Sequence, residues 1–594
     1  MTVENEVVTE VTSLRDFWLH RTNKIKEWYK LRYMDDVYQQ KNYESVVMND
    51  PKTLFNLSQY MLSAIPARHK IPLASEDESQ RKLIGKSERA LVSLWREVDS
   101  RLMRSGRRPW RWEFADFVLI TGWYAVFAAV LKNDDGSPKF IADVWNPANT
   151  FQEWDDEGLS RCAQVYSVSL TNAKRLCSKF GWPMPEALNV PSISSNVSVE
   201  VINYWKRQGG EVLNGVMFDK KFVKGLQSED FDEIPILTGP AAGEASWGGY
   251  GLGDSNWTQR YGESILEPNA EIYNYQNRNM SFIMQILRDN AQPPIIDKNA
   301  GARALIKPED VVSGAIIHTE LDQEVGPMRQ IRLQEELNVA QSIFSQQVQQ
   351  GGFPYTLFGA VPSTLDLSGF AIGLLMTAAQ NVIGSYKEAM TFVLQEIDRV
   401  WLEEYKRGEY EAITISGRMR GGETASLFHE DYSPEDVPDC TYIDVTVPLA
   451  TPSDLVQKMA IARQAKPIGD ILDVTTILDE ILDIQDPALV QKRLDESRFE
   501  ESQPMIVLKM VLEAKEKERK FREEGEEQYA EILAMFSSQL MGSLGAPPPG
   551  SPSPAQPGVS PAAGREGTRG VPATLSRQIA GAPSPQRVAE EEGR

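Results

Sequence analysis

A chain of 594 residues, 41% hydrophobic and 25% charged, has the composition of a folded globular protein of several structural units, and neither a membrane protein nor a wholly disordered one. Its 84 acidic against 62 basic side chains leave a formal charge of -22, which repels phosphate and argues against gripping nucleic acid by counterion release. Three cysteines without C-x-x-C spacing, Cys162, Cys177 and Cys440, cannot form a disulfide framework and read as buried small apolar groups in a reducing compartment.

Residues 1–10 are acidic and lack the basic and apolar regions of a signal peptide, so export is not expected. From Val11 to Asn42, Leu14, Trp18, Ile25, Trp28, Leu31 and Tyr33 recur at helical intervals. Asn49-Asp50-Pro51 then supplies a turn and cap before a helix over Thr53 to Leu62. Glu76 to Arg104 reads as an amphipathic helix, broken by Gly106-Arg107-Arg108-Pro109. The uncharged run Phe117 to Leu131 falls short of the roughly 20 residues a spanning helix needs, so it predicts a buried core element. Short β-like runs follow at Ile141 to Trp145, Ala163 to Leu170 and Val197 to Trp205, separated by turn-forming residues.

Gly239 to Gly253 is a glycine-rich loop that leads into a helix over Asn269 to Asn290, with Tyr273, Met280, Met284 and Leu287 on one face. Pro293-Pro294 stops it. A compact block, Ile295 to Pro327, separates it from a second helix, Met328 to Gln350, striped by Leu333, Leu337, Ala340, Phe344 and Val348. After a loop rich in glycine, proline and aromatics, Ser368 opens the longest helical pattern, which runs to Gly408 with Gly384 as a candidate kink. Strands are expected at Ile413 to Ser416 and Thr441 to Val447, and helix from Pro452 to about Ser543, ending in a charged helix over Glu513 to Tyr529. Beyond Gly545 the chain is dominated by Pro, Ala, Gly and Ser and cannot bury enough surface to offset its ordering entropy, so disorder is predicted there.

The usual signatures of catalysis are missing. Gly85-Lys86-Ser87 matches the end of a phosphate-binding loop, but Gln80 stands where the first glycine belongs and the preceding stretch is charged. Ser255 lacks a G-x-S-x-G setting. His20, His69, His318 and His429 have no metal-ligand spacing, and Asp134-Asp135 and Asp155-Asp156 read as solvated turn residues. No catalytic residue, metal or cofactor is expected.

Three stretches carry a resemblance. Asn49-Asp50-Pro51-Lys52-Thr53-Leu54 through Leu62-Ser63, then Leu367-Ser368-Gly369-Phe370-Ala371-Ile372, then Thr475 to Pro487 continued by Lys492-Arg493-Leu494-Asp495-Glu496 resemble segments of the portal proteins of tailed bacteriophages. In the last stretch Asp483 stands where that family's turn usually has glycine. The order of elements is similar too: an α/β body, a helix, a small cap, a return helix, a loop, a long helix, strands and a helical end. The likeness spans roughly 36–500.

The resemblance implies a predominantly helical α+β subunit. Residues 1–268 and the strands within 369–451 would form a wing, 269–292 and 328–350 two stem helices, and 293–327 a clip. Residues 351–368 would be a tunnel loop, 452–545 a helical crown and 546–594 a disordered tail. It further implies a dodecameric ring at one capsid vertex of a virion assembled in the bacterial cytoplasm. Through it double-stranded DNA would be packaged and ejected without tight binding. The implied partners are the large terminase subunit, the major capsid and scaffolding proteins, and head-completion or tail adaptor proteins; no membrane is involved.

On the same basis Gln341, Gln346, Gln349 and Gln350 of the return helix, with Gln330, Gln334 and Gln347, would present uncharged polar groups to DNA, or form a solvated face. Phe353, Tyr355 and Phe358 would touch DNA or pack on neighbouring subunits. Arg303, Lys307, Glu309 and Asp310 are the clip residues placed for terminase or adaptor contact. The alternative reading is another oligomeric virion component, an adaptor or tail protein. A packaging motor is disfavoured by the incomplete phosphate loop.

Overall fold

The computed structural model describes residues 2–36, 39, 43–72, 78–133, 135–185, 198–243, 257–291, 295–298, 324–327, 335–353, 369–408, 410–419, 426–439, 442–449, 499, 503–523 and 525–544. Two units are distinguished, Met1–Gln491 and Lys492–Arg594. Most of the helical run predicted from Pro452, and all of the Pro-rich tail, lie outside the described residues.

The first predicted helix is two helices. α1 (Val3–Phe17) buries Val7, Val11 and Leu14, and α2 (Leu19–Tyr33) buries Arg21, Ile25 and Trp28. Between them Trp18 leaves helical geometry, with φ -92° and ψ 10°. Its indole donates to the carbonyl of Gln152 at 2.8 Å, and its ring meets Trp123 edge-on with centroids 5.2 Å apart. α2 stops at Met34, which adopts the left-handed conformation, so the pattern read as far as Asn42 overruns the helix.

α3 (Asp50–Ser63) starts at the predicted Asn-Asp-Pro, and α4 (Glu78–Arg104) matches the predicted amphipathic helix. The uncharged run 117–131 is indeed buried, but it is half helix and half strand. α5 (Trp110–Thr121) ends at Gly122, and β2 (Trp123–Lys132) begins at the next residue. Gly122 has φ +67°, and a Cβ there would lie 2.3 Å from the backbone nitrogen of Glu263, so only glycine makes this change of direction. Hydropathy cannot reveal the switch, because both halves are buried.

β2 is the middle strand of an antiparallel sheet with β3 (Pro138–Val144) and, on its other side, β9 (Ile236–Pro240). A five-stranded antiparallel meander follows, formed by β4 (Thr150–Asp155), β5 (Gly158–Ser169), β6 (Ser198–Gln208), β7 (Glu211–Phe218) and β8 (Lys221–Glu229). α6 (Leu170–Phe180) leaves β5 capped by the Ser169 hydroxyl. Sequence patterning found β5 and β6 and missed β7 and β8. The short strand β1 (Arg68–Lys70) pairs with β14 (Asp444–Thr446), and β12 (Ile413–Met419) forms a hairpin with β13 (Ser426–Tyr432).

α9 (Gly369–Arg407) runs through the centre of the first unit, after α7 (Ala270–Ala291) and α8 (Glu335–Gln350) in chain order. Ile383, Tyr386, Met390, Val393, Leu394, Ile397, Trp401 and Tyr405 are buried at helical spacing, in one cluster with α3, α4, α5 and β2. Trp95 meets Trp401 at 4.8 Å and Trp110 at 5.0 Å, and Trp401 donates to Ile141 O at 3.1 Å. Truncating such a ring to alanine costs about 3–5 kcal/mol.

In the second unit α10 (Gln503–Glu523) and α11 (Glu527–Leu544) pack as a hairpin about a turn in which Gly525 has φ +83°. The charged helix predicted over Glu513 to Tyr529 is therefore broken there.

One partly buried acid makes stability pH-dependent. Glu404 of α9 accepts from the Val130 backbone nitrogen, and burial pushes its pKa up to about 7, helped by Asp232 and Asp230 and opposed by that bond and Arg407. A raised folded-state pKa means the unfolded chain ionises first as pH climbs above about 4.5, so this group costs stability progressively up to pH ~7 and by a constant amount beyond. Glu404→Gln keeps an acceptor for Val130 and should stabilise the protein by ~2 kcal/mol at pH 8 with little change at pH 4.5. Thermal melts at both values check this; equal shifts would contradict it.

Candidate functional site

The feature that stands out is the pair α7 and α8, whose connecting segment contains the antiparallel strands β10 (Ile295–Lys298) and β11 (Glu324–Pro327). α7 carries faces with different chemistry. The first is a polar stripe at four-residue spacing, Asn277, Ser281 and Gln285. Their side-chain oxygens accept from the backbone nitrogens of Met48 at 2.8 Å, Val46 at 2.9 Å and Glu44 at 2.8 Å. Four helical residues rise ~6 Å and two extended residues span ~6.6 Å, so alternate amides of an extended segment match every fourth helical side chain. Segment 44–48 is thereby strapped along α7, and Arg288 adds an ion pair to Glu44 at 2.8 Å.

The second face meets α8. Asn279 donates to Leu337 O and to the Gln341 side-chain oxygen, both at 3.1 Å, and Asn269 donates to Val348 O at 3.0 Å. Tyr275 and Phe344 stack with centroids 6.5 Å apart. A Cβ on Gly351 would fall 2.3 Å from the Asn269 oxygen, so the absence of a side chain lets the chain leave α8 against Asn269. Apolar side chains are exposed on two sides of α7, Tyr275 and Phe282 lying more than ~100° around the helix from Met284 and Leu287. Tyr275, Phe282, Met284 and Leu287 on α7, and Val339 and Ile343 on α8, are each about half exposed, with the Arg278 guanidinium 5.6 Å from the Phe282 ring.

α8 carries charge only at Glu335 and Glu336, in its first turn. Gln346 and Gln350 are exposed, whereas Gln349 is partly buried and donates to Ser345 O at 3.5 Å. Gln341 is engaged with Asn279, so its oxygen faces the partner helix. Phe353 is 3% exposed and joins the main core beside α3, where Gly352 approaches Leu54, so its ring packs within its own chain. Tyr355, Phe358, Arg303, Lys307, Glu309 and Asp310 lie outside the described residues.

Two polar arrangements escaped sequence reasoning. His69 Nδ1 meets the carboxylate of Asp398, which also accepts from Trp95 Nε1 at 2.8 Å; both partners are buried and tie β1 to α9. Arg21 is fully buried, and among the described residues it forms no ion pair. Its guanidinium donates to Thr150 O at 2.7 Å and Pro147 O at 3.2 Å and lies 4.5 Å and 4.8 Å from the Trp18 and Trp123 rings. Burial lowers its pKa to about 9, which still leaves it charged at neutral pH. The partners in each case are too far apart in sequence for any motif to reveal them.

Gly85-Lys86-Ser87 lies within α4, with Lys86 paired to Asp436 at 2.7 Å and Ser87 buried against the Tyr432 hydroxyl at 2.9 Å, a geometry that offers no phosphate cradle. Asp155 accepts from the Glu157 amide at 2.9 Å and Asp135 from Ser137 at 3.0 Å, as turn residues do. Among the described residues no group of His, Cys, Asp and Glu is arranged to hold a metal ion, and no helix is long and apolar enough to cross a membrane. Cys162 and Cys177 are buried and unbridged, and burial raises both thiol pKa values.

No family model matches the chain, and no curated protein does. Similar solved structures include a chain from the virion of the native gene transfer agent particle, 11% identical with a TM-score of 0.37, covering 73% of this chain and 89% of that one. A chain from the neck of the empty particle, computed with C6 symmetry, is also 11% identical at 0.37 and covers 76% and 93%. A chain from the neck of the native particle, computed with C12 symmetry, is 11% identical at 0.34 and covers 73% and 89%.

The strap is the most direct handle on α7. Asn277→Ala and Ser281→Ala each leave a strap amide without its acceptor and should cost about 1–3 kcal/mol. Limited proteolysis should then cut near residues 37–48 faster than in the parent protein; unchanged cutting in both variants would show that the strap does not depend on these bonds.

Proposed function

We propose that this chain is a portal subunit, one of a ring of identical copies at a single capsid vertex through which double-stranded DNA enters and later leaves a virion. The observation that carries the reading is the α7–α8 pair: two helices held to an α/β body by a polar strap, with half-exposed apolar side chains and no charge in α8 beyond its first turn.

The apolar flanks suit helix-to-helix packing between neighbouring copies, because half-exposed Phe, Tyr, Leu and Ile side chains are costly to leave in water. The charge-free glutamines suit the channel side. Each phosphate that a cation neutralises releases counterions and adds affinity, so a conduit that must let DNA slide is served by neutral amides on an acidic chain. In this assignment the α/β region and strands β12 to β14 form the wing, α7 and α8 the stem, 293–327 the clip, 351–368 the tunnel loop and 452–545 the crown. Gln346 and Gln350 then line the channel, and the clip presents Arg303, Lys307, Glu309 and Asp310 to the terminase and afterwards to head-completion or tail adaptor proteins. The subunit has no catalytic role and assembles with capsid and scaffolding proteins in the bacterial cytoplasm.

Negative-stain imaging of the purified chain should show dodecameric rings with a central hole, and deletion of 546–594 should leave them intact. Ile343→Glu combined with Phe282→Glu should shift most of the protein to monomers, because both charges would be buried at each contact between copies. Compact single particles without a hole, or robust DNA-dependent nucleotide hydrolysis, would overturn the reading.

A further inference from the structure

The hairpin of α10 and α11 has more apolar surface than its own seam uses. Val511, Ala514 and Ala530 are buried between the two helices. Nine other large apolar side chains, Ile506, Leu508, Met510, Leu512, Tyr529, Ile532, Met535, Phe536 and Met541, are 40% to 75% exposed. Their placement says more than their number. Successive helical residues turn by ~100°, so Ile506 and Met510 lie on one flank of α10 while Leu508 and Leu512, two positions along, lie ~160° away on the opposite flank.

α11 adds Tyr529, Ile532 and Phe536 at intervals of three and four, a further stripe on its outer side. A two-fold contact uses one patch on each partner, whereas a head-to-tail contact uses two different patches and closes into a ring. Two apolar flanks on opposite sides of one slender hairpin match the second arrangement. Apart from Lys509, the charges on α10 lie from Glu513 to the turn and are of both signs, with Arg522–Glu518 at 2.9 Å and Arg519–Glu523 at 3.4 Å, so copies set side by side meet no single-sign repulsion.

We propose that the 503–544 hairpin is a head-to-tail interface between copies of this chain, the Leu508/Leu512 flank of one copy seating on the Ile506/Met510 flank and the Tyr529/Phe536 stripe of the next. The proposal rests on the ring reading and assigns to it a second, helical contact besides the stem.

The test uses the full-length chain with Met510→Cys, with Leu512→Cys, and with both, each treated with a short bis-maleimide and run on a denaturing gel beside the parent protein, with the same samples imaged. The double variant should give a ladder of covalent trimers and larger species, because each copy links to a neighbour on either side, while each single variant stays monomeric on the gel. Covalent dimers from a single variant would mean a two-fold contact and overturn the proposal. Rings in the images without a ladder would overturn it and leave the ring reading standing, the flanks then being covered by residues 451–502 of the same chain or by another protein. A ladder-free sample without rings would defeat both readings.

Discussion

The first unit is organised around one buried stripe on α9. Ile383, Tyr386, Met390, Val393, Leu394, Ile397, Trp401 and Tyr405 face inward, and α3, α4, α5, β2 and the β1–β14 pair share the cluster they create. Such a helix is apolar on too much of its surface to be stable by itself, and elements distant in sequence supply its cover. Several polar groups in this core are tied to distant elements. Asp398 takes its bonds from His69 and Trp95, Tyr386 reaches Glu263 O at 2.8 Å, and Tyr405 reaches Tyr432 O at 2.9 Å. Each bond fixes a loop or strand whose register the apolar contacts alone would leave free.

Against that body, α7 is held by a different kind of force. Its fastening is a row of side-chain acceptors meeting backbone donors, and the match depends on two repeat distances that nearly coincide. Polar fastening leaves the apolar residues of α7 and α8 available on other sides. That division of labour between faces is what gives the pair both an attachment and an outward contact surface.

The strongly acidic balance of the chain has a counterpart in how its cations are used. Basic side chains in the described body are largely committed to internal partners, as Arg107 is to Glu113 and Asp143, Arg161 to Glu10 and Glu153, and Arg399 to Glu396 and Glu403. Arg21 goes further and gives its charge to carbonyls and indole rings in the interior. α8, by contrast, carries no charge beyond Glu335 and Glu336.

Sequence by itself determined the helices and their order. Periodic apolar residues report a buried helical stripe wherever one exists, which is why α3, α4, α7 and α9 lie close to where patterning put them. Proline and glycine marked most of the ends. Only the tertiary structure decided the break at Trp18, the change from helix to strand at Gly122, the strands β7 and β8, and the turn at Gly525. In the first two, and in the burial of Phe353, the choice is made by a partner more than a hundred residues away: Gln152 O for the Trp18 indole, Glu263 for Gly122, and the α3 side of the core for Phe353. A local pattern records how much a segment wants to be buried, whereas direction, register and the face finally left to solvent are settled by what the rest of the chain places beside it.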